Sequence, residues 1–265
     1  MKRNSIITAF AITLLALPLL VSAGEPTLTG DEIARMVDER EDGDDVISTS
    51  KFILENKRGQ QRIRETTRYW KDYDGRDEFE EKSVIFFQSP PDIKDTGFLN
   101  WSYLALEQDD DQWLYLPALK KVKRIASDNK DDYFMGTDLT YDDMGDRKIE
   151  EDNHNLLREE VLNGKECYVV EAIPKDKDYM YSKRISWVDK KEFIPYQTLF
   201  LDRKGRELKK LTTDWMKVSD IWTTKRLFVE NYSNGHKTTI EISDVKMNSG
   251  VKDKVFVKRT LKKGL

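Results

Sequence analysis

The clearest local fold signal in the chain is LLREEVLNGKECYVVEAI, residues 156–173. Two runs of strand-type residues, 156–162 and 167–173, flank the dipeptide Asn163-Gly164. Asn-Gly is a preferred pair for a two-residue hairpin turn, because both central positions of that turn need a positive φ. The stretch therefore predicts two antiparallel strands joined by a tight turn.

Similar strand-like segments occur on both sides of this hairpin, from residue 46 to residue 117 and from residue 183 to residue 245. Most are joined by short turns rich in Asp, Asn, Ser and Gly, which favour antiparallel neighbours. Counting these segments gives about ten or eleven strands. The predicted fold class is mainly β with few helices, built on a large curved antiparallel sheet.

One helix is predicted before the first strand. Thr29 and Glu32 have the spacing of a capping box, in which each side chain bonds the backbone of the other residue. Ile33, Met36 and Val37 then recur at helical spacing and define one apolar face. We expect this helix to end near Asp42-Gly43-Asp44.

The composition is unusual, with 35% charged, 38% apolar and 11% aromatic residues in 265. The aromatic content argues against disorder, and the low apolar content argues against a polytopic membrane protein. A net charge of −4 lacks the basic footprint of a nucleic-acid-binding domain. An antiparallel sheet can place its charges on a solvated face and its aromatic residues on the other. A lid, a partner or an apolar ligand must then cover the aromatic face.

Residues 1–23 resemble a secretory signal peptide, with Lys2 and Arg3 before an apolar run and Val21-Ser22-Ala23 as a cleavage site. A retained anchor helix is the alternative. Position 24 is Gly, so the Cys of a lipid anchor is missing there. We expect export to the periplasm and one domain, residues 24–265, without a transmembrane helix. Cys167, the only cysteine, should be buried in a strand.

The region from residue 126 to residue 155 is polar and weakly periodic, which is typical of a functional loop or lid. It contains FMGTDLTYDDM, residues 134–144. Asp138, Asp142 and Asp143 offer hard oxygen ligands for a cation, but their spacing fits no calcium loop. A capping box from Thr140 to Asp143 is the favoured interpretation, and we predict no metal and no cofactor.

The stretch WLYLPALKKVKRI, residues 113–125, places four cations after an aromatic strand. These cations could contact lipid head groups or an acidic partner. The alternative is a solvated strand face. The four residues are Lys120, Lys121, Lys123 and Arg124.

The motifs of several enzyme classes are missing. The chain has no G-x-S-x-G elbow, no H-E-x-x-H, no G-x-G-x-x-G and no P-loop. The two histidines, His154 and His236, both lie beside Asn near predicted hairpins. A Ser-His-Asp triad could still form from distant residues. With both histidines outside any motif, hydrolase chemistry is the less favoured interpretation, and we predict no catalytic residues.

Three motifs resemble those of the outer-membrane lipoprotein-sorting protein family, a LolA-like branch of exported bacterial proteins. They are SPPDIKDTGFL at 89–99, WLYLP at 113–117 and FMGTDLTYDD at 134–143. The resemblance implies an incomplete β-barrel with a helical lid over an apolar cavity that holds acyl chains of lipoproteins. Its members are also associated with efflux-type transporters, which implies other lipids as cargo. The motif and lid residues are Met135, Gly136, Asp138, Tyr141 and Asp143.

The leading hypothesis is a soluble, monomeric periplasmic carrier that moves lipid or lipoprotein acyl chains towards the outer membrane. An inner-membrane transporter and an outer-membrane acceptor are the expected partners, and nucleic acid is not. The alternatives are a lipid-directed hydrolase using the 138–143 carboxylates and a cargo-free accessory protein of an envelope transporter. Aromatic type and strand phase select these cavity candidates: Phe52, Phe86, Phe98, Trp101, Trp113, Tyr115, Phe134 and Trp215.

Overall fold

The computed structural model describes residues 28–264, so the predicted signal segment lies outside the described residues. Helix α1 spans Gly30–Asp38, and the short helix α2 spans Lys258–Lys263. Neither has the length and hydropathy that a membrane span requires, and the same holds for every helix between residues 28 and 264.

Thirteen strands form one antiparallel sheet in the order β6-β5-β4-β3-β2-β1-β13-β12-β11-β10-β9-β8-β7. The prediction of a mainly β chain built on one large antiparallel sheet is confirmed, although the strand number was underestimated. Edge strand β6 illustrates why, because charge dominates its sequence. The strands are β1 Asp45–Glu55, β2 Gln61–Asp72, β3 Phe79–Ser89, β4 Gly97–Tyr103, β5 Asp111–Leu116, β6 Lys121–Ile125, β7 Asp152–Leu162, β8 Lys165–Pro174, β9 Tyr181–Asp189, β10 Pro195–Asp202, β11 Glu207–Val218, β12 Ile221–Asn231 and β13 Lys237–Met247.

The hairpin at Asn163-Gly164 joins β7 to β8 as predicted. The two residues have φ of 50° and 80°. Positive values at both central positions are those of a two-residue hairpin turn. Leu162 pairs with Lys165 directly across the turn. Cys167 follows on β8 and is a buried free thiol.

The predicted capping box begins α1. The Glu32 backbone N–H donates to Thr29 Oγ1 at 3.2 Å, and the Thr29 N–H donates to Glu32 Oε2 at 2.7 Å. Ile33 is fully buried against Val170 of β8 and Val188 of β9. Met36 is 40% exposed, so the buried stripe is narrower than the spacing predicted.

Residues 126–151, here called the lid segment, connect the two edge strands β6 and β7. Gln112 of β5 donates to the Tyr141 carbonyl at 2.8 Å, and Lys209 of β11 donates to the Asp138 carbonyl at 3.0 Å. In a flat sheet β5 and β11 would lie seven strand spacings apart, about 33 Å. Side chains from both strands reach carbonyls three residues apart, so the sheet must curl around the lid segment.

The lid segment itself consists of short helical turns. Thr140 and Asp143 form reciprocal hydrogen bonds at the start of the turn Asp142–Met144. The Thr140 N–H donates to Asp143 Oδ2 at 2.7 Å, and the Asp143 N–H donates to Thr140 Oγ1 at 3.1 Å. This is the predicted capping arrangement, with Asp in the position of the usual Glu. The turns are Ser127–Asn129, Phe134–Gly136, Asp142–Met144 and Ile149–Glu151.

The sheet has two differently covered faces. The inner face, defined by Phe52, Phe98 and Ile240, packs against the lid segment. The outer face of β3–β5, defined by Leu99 and Trp113, packs against the C-terminal residues 251–261. Both faces of these strands are therefore apolar and buried, which explains the doubly apolar runs in the sequence.

Candidate functional site

The lid segment places Phe134, Leu139 and Tyr141 on the apolar part of the inner face, where all three are buried. The Phe134 ring is fully buried, with its centroid 5.0 Å from that of Phe98 and 6.2 Å from that of Phe87. Burying one such side chain contributes about 1.5–3 kcal/mol. The inner face is thus filled by the chain's own side chains. The sheet residues of this cluster are Phe52, Ile85, Phe87, Phe98, Leu114, Ile125, Val229 and Ile240.

Asp138 forms the first polar anchor of the lid segment. Its buried carboxylate accepts from Thr238 Oγ1 at 2.7 Å and lies 2.6 Å from His236 Nδ1. Its backbone N–H points at the same Thr238 hydroxyl, at 2.9 Å. Thr238 belongs to β13 and His236 precedes that strand, so this anchor ties the lid segment to the middle of the sheet.

Lys209 and Asp143 form the second anchor. The Lys209 ammonium group is fully buried and pairs with the Asp143 carboxylate. The Tyr181 hydroxyl donates to both Asp143 oxygens at 3.1 Å, and burial raises the pKa of this phenol well above its ordinary value. The rings of Tyr181 and Phe200 flank the ammonium group at 5.0 and 4.8 Å. The buried ammonium group depends on the Asp143 carboxylate, because water cannot readily take the place of this partner.

The two anchors also define what the 138–143 carboxylates do chemically. Asp138 and Asp143 are both engaged by protein donors, in keeping with the capping interpretation rather than with free cation ligands. Between residues 28 and 264, no group of three or more His, Cys, Asp or Glu side chains is close enough to hold a metal ion.

A third contact joins the lid segment to β2. The Arg64 guanidinium donates to the Met135 carbonyl. Arg64 is half-buried, and burial lowers the pKa of its side chain. The next lid residue, Gly136, has a φ of 75°, and a side chain there would meet no heavy atom within 4 Å. The lid segment is therefore held by Arg64 beside an open space.

Towards the other end of the same strands, the inner face becomes polar. Trp70 Nε1 donates to the Glu81 carboxyl group, which lies near the charges of Arg68 and Asp146. Burial, reinforced by the Asp146 carboxylate, raises the pKa of Glu81 from 4.5 to about 8. Burial and the Asp110 carboxylate also raise the pKa of Asp146. At pH values between the ordinary carboxyl pKa and these raised pKa values, the two groups bind protons in the folded protein that the unfolded chain releases.

These raised pKa values predict that the protein loses stability as the pH rises. Between the ordinary carboxyl pKa and about pH 8 the folded state binds more protons than the unfolded state, so the free energy of unfolding falls. We expect the melting temperature to decrease between about pH 5.5 and about pH 8.5, and Glu81→Gln to raise it by about 2–6 °C at the higher pH. Thermal unfolding followed by circular dichroism measures both.

Glu241→Gln is the control for this pH effect, because Glu241 is half-exposed on β13. It should leave the pH slope unchanged, whereas Glu81→Gln should flatten it. Equal slopes in the wild type and Glu81→Gln would contradict the assignment of the buried proton to Glu81.

The eight predicted cavity residues do not share one face. Phe52, Phe98 and Phe134 belong to the inner-face cluster beneath the lid segment. Trp215 Nε1 donates to the Pro195 carbonyl at 2.9 Å, and its ring lies 4.9 Å from the Arg40 guanidinium. The other four lie in the outer-face cluster: Phe86, Trp101, Trp113 and Tyr115.

The outer-face cluster is covered by the C-terminal residues. Trp101 Nε1 donates to the Phe256 carbonyl at 2.8 Å, and the Lys258 ammonium group lies 4.2 Å from the Trp113 ring centroid. Strand geometry explains the split, because Phe98 and Trp101 are three residues apart on β4 and so point to opposite faces.

The predicted cation stretch is exposed at the β6 edge of the sheet. Arg124 pairs with Asp111, while Lys120, Lys121 and Lys123 extend into solvent. Helix α2 brings further cations beside them, and a shallow pocket of about 450 Å³ is lined by Trp113, Val122, Arg124, Lys258, Arg259 and Lys262. The fold therefore unites two cation runs that are far apart in sequence.

Lys209 and Arg64 are the cationic site residues that sequence analysis missed, and Thr238 and Tyr181 are the uncharged ones. A sequence signal existed for Lys209, which shares its strand phase with Leu211, but not for Arg64, whose phase neighbours are the polar residues Arg62 and Thr66. A cation at an apolar phase of a strand indicates a buried partner. The partners could not be identified from sequence, because they lie in the lid segment about 70 residues away.

Comparison with known proteins gives the same architecture. A domain from Vibrio parahaemolyticus, described as an outer membrane lipoprotein-sorting protein domain, is 36% identical, with a TM-score of 0.82 over 88% of this chain and 98% of its own. A DUF1329 family protein from Desulfovibrio piger is 33% identical, with a TM-score of 0.82 over 88% and 97% of the two chains. A LolA superfamily protein from Nitrosomonas europaea, 19% identical, has a TM-score of 0.68 over 88% and 99%.

The curled, open antiparallel sheet with a lid segment across it is the LolA-like fold. The chain belongs to the outer-membrane lipoprotein-sorting protein family, which also bears the designation DUF1329. A family profile described as "Uncharacterized protein" matches residues 80–263. No curated protein sequence is significantly similar to the chain.

Proposed function

We propose that the protein is a non-enzymatic periplasmic carrier that shields lipid or lipoprotein acyl chains on the inner face of its sheet. The observation that carries the proposal is that Phe134, Leu139 and Tyr141 pack on the continuous apolar surface of the inner face. In this proposal the lid segment occupies the acyl site when cargo is absent. Family membership supports lipid as the cargo class, and one domain over residues 24–265 is the proposed functional unit.

The energetics allow such an exchange. Three displaced side chains give up roughly 5–9 kcal/mol of burial, at about 1.5–3 kcal/mol each. An acyl chain with about twelve buried CH₂ groups supplies roughly 10 kcal/mol, at about 0.8 kcal/mol per group. A long chain therefore offsets the lost burial of these three side chains, while a short chain does not.

Displacement of the lid segment can be followed with a cysteine probe. Leu139→Cys places a thiol at a buried lid position, and Val255→Cys places one at an equally buried position of the outer-face cluster. Adding a long-chain lipid should increase maleimide labelling of Leu139→Cys about tenfold or more, because labelling requires the opened site. Labelling of Val255→Cys should not change.

Native mass spectrometry of protein isolated from the periplasm complements this probe. Co-purified lipid supports the carrier. Protein that arrives empty and binds no added lipid contradicts it and favours a cargo-free accessory protein. Lipid that binds while Leu139→Cys stays protected would instead locate the cargo away from the inner face.

We further propose that the cation run Lys120, Lys121, Lys123 and Arg124 contacts anionic head groups when the carrier meets a membrane. Each cation near an anionic surface contributes about 1 kcal/mol. The neighbouring cations of α2 and the exposed Leu119 support this role. Movement from an inner-membrane transporter to an outer-membrane acceptor is the direction we propose.

Reversing all four charges to Glu should reduce binding to vesicles with about 30% phosphatidylglycerol by at least tenfold in a flotation assay. The control reverses four exposed lysines elsewhere, at positions 191, 204, 217 and 225. Equal losses in both variants would indicate a general charge effect. Wild-type binding should also disappear at about 0.5 M salt, because exposed charges are then screened.

A further inference from the structure

A pocket of about 500 Å³ opens beside the lid segment, at the end of the β1–β2 hairpin. Its wall includes Arg62 and Arg64 of β2, His236 before β13, and Gly136 of the lid segment. The pocket is distinct from the cation run at the β6 edge. Three sequence-distant parts of the chain thus meet around one open space.

The charged residues that line this pocket suit an anionic ligand. Its lining residues include two guanidinium groups and no Asp or Glu. Arg62 and Arg64 are two residues apart on one strand, so their side chains leave the same face of the sheet. Arg64 donates to a neutral carbonyl, that of Met135, rather than to a carboxylate. Planar guanidinium groups of this kind match phosphate and carboxylate oxygens.

His236 and Gly136 complete the wall. The Nδ1 atom of His236 lies 2.6 Å from the Asp138 carboxylate, and the other ring nitrogen donates to an anion when the ring carries both protons. Gly136 has open space where a side chain would stand, so the lid segment leaves this side of the pocket free. Gln60, also in the lining, adds a neutral side-chain amide.

The pocket continues into the apolar inner face. Leu54 lines it and lies opposite Arg62, while Phe52 lies opposite Arg64 in the β1–β2 register. Phe52 is a member of the cluster that contains Phe134. The guanidinium-bearing and apolar residues are therefore direct cross-strand neighbours, with Cβ atoms about 5 Å apart. This is the layout of a site for an amphiphile with an anionic head.

We propose that the Arg62–Arg64–His236 pocket binds the phosphate or carboxylate head group of an anionic amphiphile whose chain lies on the inner face. The inference rests on the proposed carrier function and names the cargo class. Arg64 then has two alternative partners, the Met135 carbonyl in the empty protein and the head group in the loaded one.

The test compares two ligands with the same twelve-carbon chain, dodecyl phosphate and the uncharged dodecyl maltoside, each below its micellar concentration. Isothermal titration calorimetry with the full chain measures both affinities. We expect a preference of about tenfold or more for dodecyl phosphate. The double variant Arg62→Gln/Arg64→Gln should reduce that preference to about twofold or less.

The ratio of the two affinities separates head-group recognition from lid strength, since loss of the Arg64–Met135 bond affects both ligands alike. Arg62→Gln alone keeps that bond and should lower the ratio about threefold. The control Arg158→Gln/Arg226→Gln removes one exposed and one partly exposed guanidinium group outside this pocket and should leave the ratio unchanged. Circular dichroism confirms that each variant is folded.

The remaining outcomes distinguish the two proposals. Equal affinity for both ligands, or a preference that survives Arg62→Gln/Arg64→Gln, overturns the head-group site and leaves the carrier standing. Binding of neither ligand counts against the carrier itself. Inorganic phosphate that binds as tightly as dodecyl phosphate would make the pocket a free-phosphate site and overturn the amphiphile.

Discussion

Phe134→Ala should lower the free energy of unfolding of the empty protein and raise its affinity for long-chain lipid. Phe134 is fully buried between Phe98, Phe87 and Tyr141, and removing such a ring costs about 3–5 kcal/mol. If the ring occupies the acyl site, the same substitution removes the competitor of the cargo. We expect an affinity for long-chain lipid at least tenfold higher than wild type, a change of about 1.4 kcal/mol.

Phe256→Ala is the matched control for this prediction. Phe256 is equally buried, but in the outer-face cluster. It should lower the free energy of unfolding by a similar amount and leave lipid affinity unchanged. Denaturant unfolding and lipid titration of both variants give the comparison. Equal affinities in Phe134→Ala and the wild type would show that the ring and the cargo do not compete.

Asp143→Ala should destabilise the protein by about 3–5 kcal/mol, because it leaves the Lys209 ammonium group buried without its carboxylate partner. Adding Lys209→Met removes the unpaired charge. We expect the double variant to recover to within about 1–2 kcal/mol of the wild type. Denaturant unfolding of the wild type, both single variants and the double variant completes the cycle.

An exposed ion pair provides the control for this cycle. Lys51 and Glu241 lie 4.0 Å apart on β1 and β13, both about half exposed. Glu241→Ala should cost less than about 1 kcal/mol. Additive effects of Asp143→Ala and Lys209→Met would mean that the buried pair is not coupled, contrary to the second lid anchor.

Local sequence signals predicted the elements of this fold well. The Asn163-Gly164 turn and the Thr29–Glu32 capping box were both readable, because the interactions that create them lie within a few residues. The boundaries of the lid segment were also close, since weak periodicity and polarity mark a region that the ladder of the sheet does not organise.

The face of the sheet on which each aromatic residue lies was harder to predict. On β3–β5 both faces are buried, so aromatic type does not distinguish Phe98 from Trp101 or Trp113. What separates them is which segment packs on each face, the lid segment or the C-terminal residues. That choice depends on contacts between distant parts of the chain, such as Trp101 with Phe256, which are 155 residues apart. A single sequence carries no local record of such contacts.

The lid segment is bound covalently to both edge strands, β6 and β7, and in the proposed carrier this linkage makes it an intramolecular inhibitor of the acyl site. Such a tethered competitor acts at an effective concentration in the millimolar range, however dilute the protein is. A guest must outcompete it, so chain length sets a threshold for loading. When the guest leaves, the tethered competitor returns without a collision between molecules. In the proposed carrier, rebinding of the lid segment therefore restores the empty state within a single molecule.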